Sequence, residues 1–192
     1  MAGTARYTAV LDACVLYPAP LRDLLLSLGA DGLYRPRWTE SIQQEWIRNL
    51  LAKRPELDPK RLERTVELMA SAVEDCLVEN AESIVDSLKL PDPDDRHVLA
   101  AAIIGHADAI VTFNMKDFPE EIAKPYGIEV LHPDDFLVAQ YHLDPIGFLS
   151  VVKAQRERLR NPPKSAEAHV ATFEQQGLPQ ISKLLRDAIE LI

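Results

Sequence analysis

Runs of β-prone residues alternate with helical runs through residues 1–137. That alternation leaves few folds open, because strands separated by helices return to their sheet in parallel and need helices on both faces. The first strand spans 7–11 and stops at Asp12. Pro18 and Pro20 break the chain before a helix over 21–28, and Gly29 and Gly32 bracket a turn. A short second strand over 33–35 ends at Pro36. Thr39 or Ser41 caps the next helix, with Ser41 and Gln44 at capping-box spacing. That helix carries Ile42, Glu45, Trp46 and Leu50 and ends before Pro55. Further helices are predicted over 59–74, where Leu62, Val66, Met69 and Val73 recur at helical spacing, and over 81–88. A helix over 98–106, a strand over 109–113 and a last strand over 128–131 follow, and a helix starts at 132–136. Beyond 138 the pattern is wholly helical, with candidates over 148–160, 166–175 and 179–191. The expectation is an α/β unit over 1–137 followed by a helical C-terminal extension over 138–192.

Acids sit where such a sheet presents its ligands. Residues 91–118 read PDPDDRHVLAAAIIGHADAIVTFNMKDF, placing Asp92, Asp94 and Asp95 at the start of a helix and Asn114 and Asp117 just past a strand. In open α/β sheets ligands bind beyond the carboxyl ends of the strands, and Asp12 ends the first one. Each acid also has a plain structural reading. Asp12, Asn114 and Asp117 are residue types that form turns, and Glu45 is a glutamate on an amphipathic helix. Asp92 is an N-cap with Pro93 at the first helical position, so that Asp94 and Asp95 favour the macrodipole. The joint pattern asks for more. Two like charges ~4 Å apart repel by ~4 kcal/mol at an effective dielectric of 20, and a cation removes that cost. Asp and Glu from different elements suit Mg²⁺ or Mn²⁺, hard cations that prefer oxygen, and no Cys/His set for zinc is present. A metal site of this kind points to phosphate chemistry. His97, His106 and His132 have no ligand spacing and are read as surface or core-edge residues. Cys14 is read as a packing residue, with no neighbouring cation in sequence to activate it.

Composition narrows the partners. Hydrophobic residues make up 47 % of 192, enough for one domain with a real core or one domain with an appendage. No apolar run approaches the ~20 residues that span a bilayer, so no membrane partner is expected. The N-terminus lacks the apolar stretch of a signal peptide. The two cysteines, Cys14 and Cys76, form no disulfide framework, and a cytoplasmic location is expected. The net charge of -9 argues against tight, sequence-independent binding to nucleic acid. The charge is uneven, however. Residues 56–95 hold twelve acids against four bases, whereas 150–164 hold five bases and one acid, and 35–64 eight bases and five acids. An acidic chain with such stretches still takes a polyanion if metal ions neutralise part of the acid.

The arrangement resembles the PIN-domain nucleases, and within them the VapC-type toxins of bacterial toxin–antitoxin pairs. The resemblance is carried by Val10, Leu11 and Asp12, then Glu45, then Asp95 ahead of Leu99 to Ala102, then the run from Ala107 to Asn114, and then Lys116, Asp117 and Phe118. It covers about residues 5–137 and implies a three-layer α/β/α fold and metal-dependent cleavage of RNA. By position it implies Asp12 and Asp95 as the principal metal ligands and Glu45 as a ligand or as the group that orients the attacking water. Asp117 or Asn114 completes the ring, and Thr112 supports it by hydrogen bonding. Asp94 begins the same helix as Asp95 and is the alternative third acid. Where the family usually has Asn, Ser or Thr two residues after the first Asp, this chain has Cys14.

The function expected on this basis is a Mg²⁺- or Mn²⁺-dependent endoribonuclease held inactive by a cognate antitoxin, with a homodimer expected by family analogy. A catalytically inactive PIN-like module that binds RNA or protein is the alternative. A phosphatase or receiver-type domain also places an Asp after its first strand, but Lys116 and Lys124 are poorly placed to serve it.

Overall fold

The computed structural model describes residues 7–192. Residues 1–6, where the expected 1–137 unit begins and on which the signal-peptide reading partly rests, lie outside the described residues. Four strands, β1 (Thr8–Leu11), β2 (Arg35–Arg37), β3 (Ala109–Val111) and β4 (Glu129–Leu131), form a wholly parallel sheet in the order β2-β1-β3-β4. β1 is central: Ala9 pairs with Pro36 on one side and with Ala109 on the other. Asp108 fixes that register, because its Oδ2 accepts from Thr8 N at 2.7 Å while its own N–H donates to the Thr8 carbonyl at 2.8 Å.

Between β1 and β2 run α1 (Ala13–Leu16) and α2 (Ala19–Ala30). Between β2 and β3 run α3 (Glu40–Lys53), α4 (Pro59–Ala72), α5 (Glu82–Val85) and α6 (Arg96–Ile104), and the short α7 (Glu120–Ala123) precedes β4. Beyond Arg96 and His97 helix α6 is apolar on every side, and Val98, Leu99, Ala100, Ala101 and Ala102 are all fully buried, as befits a helix enclosed between a sheet and other helices. Its alanines let it lie closely on β1 and β3. Burying Val98 and Leu99 stabilises the fold by about 1.5–3 kcal/mol each. With helices on both faces of the sheet, the architecture is the three-layer α/β/α arrangement.

Several local readings change. The second strand is not 33–35 ended by Pro36; it is Arg35–Arg37 with Pro36 at its centre. Proline is tolerated because β2 is an edge strand, where the missing N–H withholds nothing from the sheet. Gly29, in the last turn of α2, accepts from Gly32 N at 3.0 Å, so the two glycines do bracket a turn; a Cβ on Gly29 would also come within 2.5 Å of the Pro36 ring. Gly32, with φ of 84°, makes that turn. Pro18 and Pro20 start α2 instead of breaking the chain ahead of it. Thr39 is the cap of α3, its Oγ1 accepting from Ile42 N at 3.2 Å, while Gln44 bonds the Glu40 side chain. The expected 81–88 helix is only the single turn Glu82–Val85.

The C-terminal helices are α8 (Pro133–Leu143), α9 (Pro145–Arg158), α10 (Ala166–Gln175) and α11 (Pro179–Asp187). Phe136, Phe148, Val152, Phe173 and Ile181 are fully buried among them. Asp134, 2 % exposed in the first turn of α8, accepts from Gln180 N at 2.8 Å and Ile181 N at 2.9 Å, and so caps α11 from outside that helix. No helix among the described residues is long and apolar enough to cross a membrane.

Candidate active site

The site is built outward from Asp12. β1 ends at Leu11, and Asp12 takes extended backbone angles as the N-cap of α1, which turns its carboxylate off the sheet's carboxyl edge. The side chain is 2 % exposed. Its Oδ2 accepts from the Thr112 hydroxyl at 2.6 Å and from the Cys14 thiol at 3.1 Å. Thr112 follows β3, the neighbouring strand, so the parallel pairing itself carries the hydroxyl to the carboxylate. Thr112 Oγ1 in turn accepts from Asn114 N at 2.9 Å, and Cys14 Sγ accepts from Phe113 N at 3.2 Å. Cys14 is therefore more than a packing residue: it joins the end of β1 to the segment after β3. Burial pushes the Cys14 thiol far above its ordinary range, and the Asp12 charge adds to that.

Three further acids surround this pair. Burial raises the Asp12 carboxyl above the usual carboxylate range, and the Glu45 charge adds to it, while the Thr112 and Cys14 hydrogen bonds work against both. The Asp95 carboxyl is pushed up to about 7, first by burial and then by the charges of Asp12, Asp92, Asp117 and Glu45. Asp12, Glu45, Asp95 and Asp117, from four separate elements, thus share one electrostatic site. Asp117 lies in a 3₁₀ turn, Met115–Asp117, whose N–H bonds back to the Asn114 carbonyl at 3.0 Å. Asn114 is exposed and anchored there through its backbone. Asp94 is exposed as well. Its N–H donates to Asp92 Oδ1 at 2.9 Å, so Asp92 caps the 3₁₀ turn Pro93–Asp95 that leads into α6.

One neighbour escaped the sequence reading. His97 receives no ligand spacing from the sequence, yet its Nε2 lies 3.2 Å from Glu45 Oε2, an ion-pair distance without the alignment of a hydrogen bond. Its Nδ1 donates to the Asp94 carbonyl at 2.7 Å. Burial disfavours the imidazolium, but Glu45, the Asp94 carbonyl and Asp12 together outweigh it, and the His97 pKa rises above its ordinary value. Nothing in the spacing of residues along either helix reveals this contact, because the two partners meet only where α3 and α6 cross.

The donors that converge are oxygens. Among the described residues no three His, Cys, Asp or Glu side chains close into a ready-made metal cage. The acids are near enough to act on one another's charge, yet they do not converge on one point. A separate cavity of about 830 Å³ opens between α2, α4, α9 and α10, bordered by Leu26, Leu68, Met69 and Leu159. None of the acids lines it.

The PIN domain family model matches residues 8–116, and the VapC50 C-terminal domain model matches residues 133–187. A curated protein of Mycobacterium tuberculosis (strain ATCC 25618 / H37Rv), "Putative ribonuclease VapC50", is 39 % identical over 92 residues, which cover 48 % of this chain and 54 % of that protein. The chain spans about half the length of this curated relative.

Proposed function

Since the chain belongs to the PIN-domain family, we propose that it is a metal-dependent endoribonuclease, the toxin of a toxin–antitoxin pair. The observation that carries this reading is the hydrogen-bonded pair of Asp12 and Thr112 beside an Asp95 whose proton is held up to about pH 7 by burial and then by neighbouring carboxylates. Such a concentration of buried negative charge destabilises a protein unless a cation joins it. The name of the curated relative, a ribonuclease, supports RNA as the substrate.

The donor set fits Mg²⁺ or Mn²⁺. It is all oxygen and in excess of negative charge. Mg²⁺ keeps several waters and takes only one or two carboxylates from the protein. In this reading Asp12 and Asp95 are the principal ligands, Asp117 or Asn114 completes the ring, and Glu45 is a ligand or acts through a water. When bound, the cation neutralises the acids, lowers the pKa of a water and stabilises charge on the phosphate.

The chain's own residues do the positioning. Thr112 and Cys14 hold Oδ2 of Asp12 in a single orientation. Glu45 orients the attacking water. In-line attack forms one phosphorus–oxygen bond as the bond to the leaving ribose oxygen breaks. Residues 1–137 form the nuclease unit and 138–192 a helical extension in this reading; the family matches at 8–116 and 133–187 support two regions, with the second starting at α8. The partners in this reading are RNA, a cognate antitoxin that covers the acidic cleft, and a second copy of the chain.

The test is cleavage of a panel of RNAs with Mn²⁺ by the wild type and by Asp12→Asn. Cutting by the wild type alone supports the proposal. Equal cutting by both, or none by the wild type with any divalent metal, overturns it.

A further inference from the structure

We infer that His97 is a positioning residue for Glu45, holding its carboxylate at the acidic site. The inference rests on the reading of Asp12, Glu45, Asp95 and Asp117 as one metal-binding site, and it gives a place in that site to a residue outside the acid set.

Asp12 and Glu45 have different means of support. Asp12 is short, buried and fixed by two donors, Thr112 and Cys14. Glu45 projects from the middle of α3 on a longer and more flexible side chain, and it remains about a quarter exposed. Freezing such a chain as a metal binds costs entropy, less so where a partner already holds it. His97 is the partner on the opposing helix: its Nε2 lies 3.2 Å from Glu45 Oε2.

The ring is itself restrained. A carbonyl oxygen can only accept, so the 2.7 Å contact with the Asp94 carbonyl assigns the Nδ1 proton to that bond. This contact sets the ring plane and leaves Nε2 as the edge that faces α3. The Asp94 carbonyl belongs to the 3₁₀ turn that also carries Asp95, and Asp92 caps that turn through Asp94 N. One imidazole therefore ties Glu45 on α3 to the turn that presents Asp95. The distance between those two acids is set through a side chain that need not touch a metal. Substituting partners that orient metal ligands typically weakens metal binding 10- to 100-fold.

Three variants of the full chain separate this role from mere packing. His97→Gln carries an amide nitrogen out to the Nε2 position. His97→Asn reaches only as far as Nδ1, and so keeps the Asp94 contact while losing Glu45. His97→Ala loses both. Calorimetric titration with Mn²⁺ is expected to show about ten-fold weaker binding for the Ala and Asn variants and tighter binding than theirs for Gln, whose neutral amide reaches Glu45 without a charge. Wild-type affinity in the Ala and Asn variants, or Gln as weak as Ala, overturns the inference. Thermal unfolding without metal of the wild type, His97→Ala, Glu45→Gln and the double variant provides a second readout. A non-additive change in midpoint temperature is expected, and additivity counts against the contact. If the wild type binds no Mn²⁺, the metal-site reading falls, and this cycle alone decides whether His97 holds Glu45.

Discussion

The Thr112 hydroxyl donates to Asp12 Oδ2 at 2.6 Å across 100 residues of sequence, and this bond joins the ends of two adjacent parallel strands into one site. Removing it leaves a buried carboxylate short of a donor and takes the acceptor from Asn114 N. Thr112→Val is expected to cost about 1.5–3 kcal/mol in stability, the range for a hydrogen bond to a charged group, and to weaken Mn²⁺ binding. Thr112→Ser, which keeps the hydroxyl, is expected to lie close to the wild type in both. Denaturant unfolding and calorimetry check the pair, and equal behaviour of the two variants would contradict the role given to the hydroxyl.

Asp95 makes the metal-free protein less stable as the pH rises. Its carboxyl titrates near 7 in the folded chain and near 4 in an unfolded one. Between those values the native state holds more protons than the unfolded state, so stability falls with rising pH. Below about pH 4 both states are protonated, and above about pH 7 the deficit is constant. Thermal midpoints from pH 4 to 8 in a chelator should show this fall, and Asp95→Asn should flatten it. Added Mn²⁺ is expected to restore stability at pH 8 in the wild type only.

His169 pulls in the opposite direction. It is 1 % exposed, neither ring nitrogen has a hydrogen-bond partner, and burial followed by Lys164 and Arg156 pushes its pKa down to about 4. Its contribution is intact above about pH 6.5, because the imidazole is then neutral in both states. As the pH falls from there towards 4 only the unfolded chain takes the proton, and stability drops by at most about 3 kcal/mol. His169→Leu should remove that slope while leaving the Asp95 slope in place. A wild-type acid slope in the variant would mean that the ring protonates without unfolding.

Asp134 is expected to report on the C-terminal helices. Asp134→Ala leaves Gln180 N and Ile181 N without their acceptor, at an expected cost of about 1–3 kcal/mol. Hydrogen exchange at those two amides should quicken more than at the β1 amides. Uniform quickening would show that α11 has no stability of its own to lose.

Much of this was legible in the sequence, for reasons that can be named. A parallel sheet follows from strand-like runs separated by helices, and Asp12, Asp95 and Asp117 stand just past strands or at a helix start, where local signals are strong. Helix α6 could be read because Val98 to Ala102 are apolar without interruption. What escaped depends on crossings and edges. Pro36 looks like a strand breaker until its strand is known to be outermost. Gly29 reads as one end of a turn, which it is, but its close approach to Pro36 cannot be read before β2 is placed against α2. His97 shows no ligand spacing because its partner lies on another helix. The thiol of Cys14 looks inert beside Asp12, and in the fold it donates to that carboxylate and accepts from Phe113.

The proline at the centre of β2 has a consequence for how copies of this protein meet one another. An outermost strand exposes a row of unpaired backbone groups on which a neighbouring molecule can build another strand, the first step towards aggregation. Pro36 removes a donor from the middle of that row, and Arg35 and Arg37 set a cation on either side of it. Past Arg37 the chain closes its own edge, with Trp38 bridging to Leu77. On this side the sheet is sealed by its sequence against growth, and replacing Pro36 with a β-former such as Val would open it.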